Sequence, residues 1–162
     1  MEERPELRFL VDLNVGRLVK WLRAMGYDAV MVPATDDGEL VRLALREGRV
    51  VLTKDARFCQ RRVVASGLLR AVLVRSDTLR EQLRQVVAEL GLSAGNGFTR
   101  CLRCNHPLRA APREEVAPLV PPYVRRTQQE FCRCPACGRI YWRGTHWANM
   151  RRELAEALRS DP

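Results

Sequence analysis

The chain has 162 residues, 46% of them hydrophobic and 29% charged, enough for one ordinary domain or a domain of about 100 residues with a small module. No apolar run approaches the roughly 18 residues of a membrane span. The N-terminal MEERPELR is acidic and polar where a secretory signal is basic and then apolar, so a cytoplasmic protein with no membrane association is expected. Net charge is +9, and of 28 basic residues only Lys20 and Lys54 are lysines. Arginine pairs with phosphate bidentately, so the bias suits a nucleic-acid partner; a proteome that uses arginine as its default cation would show the same bias. Residues 96–162 carry 12 basic and 6 acidic side chains against 16 and 13 in residues 1–95, so the positive charge concentrates in the C-terminal part.

Leu7 to Val11 is a short apolar run, as in a strand buried on both faces. It delivers Asp12 into a helix whose Leu18, Trp21, Leu22 and Met25 share one face, closed by Gly26. Ala29 to Val32 reads as a second strand, stopped by Pro33. Asp36 followed by Glu39 three residues later is an N-cap signature. The helix it opens buries Leu40, Leu43 and Ala44 and ends at Gly48. Val50 to Thr53 is a third strand running into Lys54 and Asp55. Ala56 to Gly67 has no clear period. Ala71 to Val74 is a fourth strand, followed by Asp77 and a helix from Thr78 to Leu90. This β-α alternation predicts an α/β fold with a mostly parallel sheet flanked by helices, and such sheets place their sites at the carboxyl ends of the strands.

Asp12, Asp37, Asp55 and Asp77 follow the four strands and would converge there. Phosphodiester cleavage needs a metal ion to neutralise phosphoryl charge and activate water. Mg²⁺ and Mn²⁺ take hard oxygen ligands, so a few carboxylates are the expected protein contribution. Asp12, Asp37 and Asp77 also have a structural explanation as helix caps. Asp36 and Asp37 compete for one cap, and Glu39 assigns it to Asp36. Asp55, with no regular helix pattern after it, has the weakest structural explanation. No phosphate-binding G-x-x-x-x-G-K-[ST] loop is present, so no nucleotide cofactor is expected, and there is no G-x-S-x-G elbow. Both histidines, His106 and His146, lie beyond residue 95.

Leu92 to Phe98 is a small-residue linker that sets a boundary between residues 1–95, the acidic-site domain, and residues 96–162. Beyond it, Cys101-x-x-Cys104 and Cys134-x-x-Cys137 are two zinc knuckles whose four thiolates leave no open catalytic position. The 29-residue spacer holds Pro107, Pro112, Pro118, Pro121 and Pro122 and reads as an extended loop. A strand over Ile140 to Trp142 and a terminal helix over His146 to Arg159 follow. Arginines interleaved with Tyr141, Trp142 and Trp147 suit single-stranded RNA, with Arg103, Arg139 and Arg143 the candidates; the alternative is that the aromatics fill the small core of the metal module.

The stretches FLVDLNVGRLVKWLRAMGYDA, DDGELVRLALREGRVVLTKDARF, CLRCNHPL and CPACGRIYWRGTHWANM together resemble the PIN-like ribonuclease family named after the Mut-seven C-terminal domain. The resemblance runs from about Leu7 to Met150. It implies a PIN-like sandwich with a zinc ribbon and a metal-dependent ribonuclease that leaves 5′-phosphate and 3′-hydroxyl ends. By motif it places the acidic site on Asp12, Asp37 and Asp55, with Asp77 beside them, and Arg17 and Arg23 at positions that face phosphate. Cys132 departs from the pattern, where an aromatic residue is expected. Two other readings of the chain are a non-catalytic RNA-binding module and a protein adaptor that docks through the ribbon.

Overall fold

The computed structural model describes residues 6–33, 36–94 and 98–159. Strands β1 (Arg8–Val11), β2 (Asp28–Met31), β3 (Arg49–Thr53) and β4 (Ala71–Leu73) form one sheet in the order β2-β1-β3-β4, every pair parallel. Helix α1 (Leu18–Ala24) joins β1 to β2 and α2 (Asp37–Glu47) joins β2 to β3. The one-turn helices α3 (Ala56–Cys59) and α4 (Arg62–Ala65) lead to β4, and α5 (Leu79–Leu90) follows it. The predicted helix ends hold: Asp36 accepts from the Glu39 N–H at 2.9 Å, and Gly48 and Gly91 close α2 and α5 with φ of 64° and 63°.

Alternation along the strands divides the core in two. Phe9, Val11, Val50, Leu52, Val72 and Val74 face α1 and α5, while Leu10 and Val51 face α2, Phe58 and Leu69. The first face is completed by helix α8 (Thr145–Leu158), which buries Met150, Leu154 and Ala157 against it. The boundary expected at residues 95 and 96 lies outside the described residues, and the helix expected to belong to the second module is packed into the core of the first. Among the described residues, no helix is long and apolar enough to cross a membrane.

The spacer between the knuckles is folded, contrary to the extended loop its prolines suggest. Strand β5 (Arg109–Ala111) pairs antiparallel with β6 (Phe131–Arg133), and β6 with β7 (Ile140–Tyr141). Helices α6 (Arg113–Val116) and α7 (Pro122–Thr127) stand between β5 and β6. Pro112 caps α6, Pro121 caps α7 and Pro122 is its first residue. Proline's fixed φ suits a helix start, where its missing N–H costs nothing, so these prolines open helices here. Val116, Val120, Val124 and Phe131 form a separate small core with Trp142 at its edge.

The ribbon is bolted to the edge of the parallel sheet. The Arg23 guanidinium donates to the carbonyls of Ala29 (2.9 Å), Leu102 (3.0 Å) and Arg103 (3.0 Å), joining α1, β2 and the first knuckle. Asn105 accepts from the Ala29 N–H at 3.1 Å and donates to Asp28 at 2.7 Å. Asp28 also meets Arg49 at 2.7 Å and Arg8 at 3.6 Å. Arg23, a candidate phosphate contact by sequence, thus directs its guanidinium to backbone carbonyls.

Burial pushes the Asp28 carboxyl up, but hydrogen bonds from Arg49 and Asn105 and the charges of Arg49 and Arg100 outweigh it and hold the group below its ordinary value. Its stabilising contribution is present above the unfolded value of about 4 and is lost as pH falls through the lower folded value. Asp28→Asn should remove that acid-side component, read as a shallower fall of urea midpoint with pH below about 4 than in wild type. Leu154→Ala should cost about 2–5 kcal/mol by urea unfolding, as for any buried core leucine.

Candidate functional site

Because β1 and β3 are central and adjacent, the residues that follow them are neighbours at the carboxyl edge. Asp12 accepts from the Leu13 N–H at 2.8 Å and from the Thr53 hydroxyl at 2.7 Å. The same Thr53 oxygen accepts from the Asp55 N–H at 3.0 Å, and Thr53 is fully buried. One buried hydroxyl thus ties the two aspartates together. Asp55 in turn accepts from the N–H groups of Arg57 (2.8 Å) and Phe58 (3.4 Å) and caps α3. A capping role for Asp55 was not visible in the sequence, because a one-turn helix is too short to show an amphipathic period.

Asp37 and Asp77 belong to the outer strands and each faces a cation. Asp37 lies in the first turn of α2 with Arg61 at 3.6 Å, its side chain 43% exposed. Asp77 is 91% exposed and paired with Lys54. Asp77 does not cap α5; that position is Thr78, whose hydroxyl donates to Glu81 at 3.2 Å. Strands sit about 4.8 Å apart, so carboxylates after β2 and β4 stand on opposite flanks of the central pair. Among the described residues the four aspartates do not form a tight cluster; the sole group of three or more His, Cys, Asp or Glu with all ligand atoms within 4.8 Å of one another is the four cysteines.

A cleft of about 550 Å³ opens beside the pair, lined among others by Leu13, Asn14, Arg17, Met31, Lys54 and Asp77. Asn14 accepts from the Lys54 N–H at 3.1 Å, bracing the turn after β3 against the turn after β1. Sequence reasoning found Arg17 but missed Thr53, Asn14 and Lys54. A lysine beside an aspartate at the end of a buried strand was the available signal.

The cysteines meet the expectation for zinc. Cys101 Sγ and Cys137 Sγ are 3.7 Å apart and Cys104 Sγ and Cys134 Sγ 3.1 Å. Zn–S bonds of about 2.3 Å make a tetrahedral edge of about 3.8 Å, while a disulfide would need about 2.05 Å. Both knuckles are built alike. The N–H of Asn105 donates to Cys101 O and that of Gly138 to Cys134 O, each at 2.9 Å, with φ of 72° and 75° at Asn105 and Gly138. Burial raises the Cys101 thiol, but hydrogen bonds from Tyr141 and the Cys104 and Arg103 backbone bring it well below the usual range. Burial and the neighbouring sulfurs push Cys104 up. Cys132 lies outside the group, in β6.

Of the ribbon arginines, Arg103, Arg139 and Arg143 are exposed. Arg139 stacks over Tyr141 at 5.8 Å and Arg143 over Trp147 at 5.4 Å, holding their heads near aromatic rings.

A family model described as the Mut7-C RNAse domain matches residues 7–154, which takes in the sheet, the cleft, both knuckles and most of α8. Comparisons with curated proteins and with solved structures gave no match. The family description points to a nuclease acting on RNA. Four thiolates at these distances should bind one zinc ion per chain. Cys104→Ser should lower bound zinc, measured by elemental analysis, and lower the melting temperature relative to wild type.

Proposed function

Since the chain belongs to the Mut7-C RNAse domain family, we propose that it is a divalent-metal-dependent endoribonuclease that hydrolyses RNA phosphodiesters at the carboxyl edge of its parallel sheet. The observation that carries the proposal is the Asp12–Thr53–Asp55 linkage, a buried hydroxyl that donates to the Asp12 carboxylate and accepts from the Asp55 backbone N–H at neighbouring strand ends. A carboxylate offers about four acceptor sites. Asp12 uses two on Leu13 and Thr53, and Asp55 uses one oxygen on two N–H groups, so both keep capacity for a cation. Mg²⁺ or Mn²⁺ needs only one or two protein carboxylates and keeps its remaining waters, so the residues fit.

Asp12 and Asp55 would hold the ion, with Asp37 the nearest further candidate on the β2 side and Asp77 on the β4 side. A bound ion would supply charge neutralisation of the scissile phosphate and a more acidic water. The protein's own part is positional. Thr53 turns the Asp12 carboxylate into place, the N–H groups of Leu13, Arg57 and Phe58 lock both carboxylates, and Arg17 offers a charge to the RNA backbone. Arg103, Arg139 and Arg143 on the ribbon would extend the contact along a strand. Zinc in the ribbon is structural in this reading.

The looser arrangement of the four carboxylates favours one rival, a zinc-ribbon module that binds RNA without cutting it. Cleavage of mixed single-stranded and structured RNA with Mn²⁺ or Mg²⁺ separates the two. Wild type should cut, and Asp12→Asn and Asp55→Asn, folded and zinc-loaded, should each lower the rate by at least about a hundredfold, as expected when charge stabilisation is removed. Cleavage unchanged in both variants would place the chemistry elsewhere. Salt-sensitive binding with no cleavage by wild type would favour the rival.

A further inference from the structure

The cleft beside the aspartate pair combines three features that Asp12 and Asp55 do not supply. It holds two cations, Arg17 and Lys54, within one concave surface. It exposes two large apolar side chains, Leu13 at 47% and Met31 at 44%, that water would otherwise exclude. Its acidic member, Asp77, is exposed and paired with Lys54.

Each feature has a local cause. Leu13 lies in the 3-10 turn that follows Asp12, so the cap that fixes the carboxylate also fixes the leucine at the rim. Met31 ends the edge strand β2 and lies against Gly16, where a Cβ would come within 2.8 Å of the methionine sulfur. Glycine at 16 thus leaves room for Met31 to lie flat along the cleft wall. Lys54 is held at its backbone by Asn14, and its side chain is only 27% exposed.

We propose that this cleft is a subsite for one nucleotide of the RNA strand, with the phosphate on Lys54 and Arg17 and the base against Leu13 and Met31. Asp77 is the resident counter-ion of Lys54, which the incoming phosphate displaces. The chemistry selects the ligand. A phosphate diester supplies the negative charge that two cations lack once Asp77 is displaced, and an unstacked base supplies a flat apolar face for two exposed aliphatic side chains. Paired RNA presents its bases edge-on, so the subsite takes a single-stranded or frayed nucleotide. In this reading Asp77 opposes RNA binding, which removes it from the ion candidates and sets it apart from Asp12 and Asp55.

The proposal rests on the RNA-cleaving reading for its substrate, but it is tested without cleavage. Binding of a short fluorescent oligouridylate to zinc-loaded protein is followed by anisotropy with no Mg²⁺ or Mn²⁺ added, across a salt series. Lys54→Met should weaken binding about tenfold and reduce the slope of log affinity against log salt by about 0.7, the value for one single-strand phosphate contact. Lys54→Arg should keep most of both. Asp77→Asn should tighten binding several-fold. Met31→Ser should weaken binding to oligouridylate while leaving an abasic oligomer of the same length unaffected. Melting curves confirm that each variant is folded. Weaker binding by Asp77→Asn, or an unchanged affinity and slope for Lys54→Met, would overturn the subsite. An equal effect of Met31→Ser on both oligomers would overturn the base contact. With these binding results obtained, absence of cleavage in wild type would overturn the RNA-cleaving reading while supporting the subsite.

Discussion

Strands that all run one way must all end at one edge, and four parallel strands in the order β2-β1-β3-β4 impose that on everything else in this chain. Each strand exit is followed by a helix or turn whose first N–H groups have no partner within the helix. An aspartate at that point accepts from them, and Asp12, Asp36 and Asp55 each do so. The local need to cap a helix and the collective supply of negative charge at one edge are therefore met by the same residues. Capping also fixes the side chains. A carboxylate held by a backbone N–H is already oriented before any ligand arrives, which is what an electrostatic site requires. The sheet's central position for β1 and β3 then decides which two carboxylates become neighbours, and Thr53 completes the connection.

The second organising contact is at the opposite side of the sheet. Edge strand β2 has unpaired backbone groups, and a parallel sheet leaves such an edge open to foreign strands unless it is covered. Here the first zinc knuckle covers it. The two knuckles share one backbone plan, with a residue of positive φ after the second cysteine. At 138 that residue is glycine and at 105 it is asparagine. Asparagine tolerates the left-handed region and adds an amide, which bonds both Asp28 and the Ala29 N–H. The cysteine module therefore contributes directly to finishing the sheet, through a side chain that sits one residue from Cys104.

Much of this was legible in the sequence where the signal was periodic or depended on a special residue. The first helix, the Asp36 cap, Gly48, Gly91 and the apolar strands all fall where the pattern places them. So do the paired cysteines, whose spacing encodes a tetrahedron. What was not legible depended on length or on long-range partners. The one-turn helix after Asp55 is too short for periodicity. Pro112, Pro121 and Pro122 look like interruptions until it is clear that helices begin at them. Arg23 carries the same chemistry toward a carbonyl as toward a phosphate, and only the fold says which it meets. Thr53, buried and bearing one hydroxyl, gives no pattern at all, although it holds the two central aspartates.

Helix α8 has a consequence for how the molecule comes into being. The sheet and its first five helices are complete by residue 91, yet one apolar face keeps an uncovered strip until Met150, Leu154 and Ala157 arrive. During synthesis that strip waits while both knuckles and the spacer are made. The nascent chain therefore carries an exposed half-core while residues 92–149 are made, and closure of the sheet's core is deferred until the ribbon that follows it has emerged. An organisation of this kind couples the two halves in time: the acidic edge reaches its finished, rigid form only in a chain long enough to have its zinc module in hand.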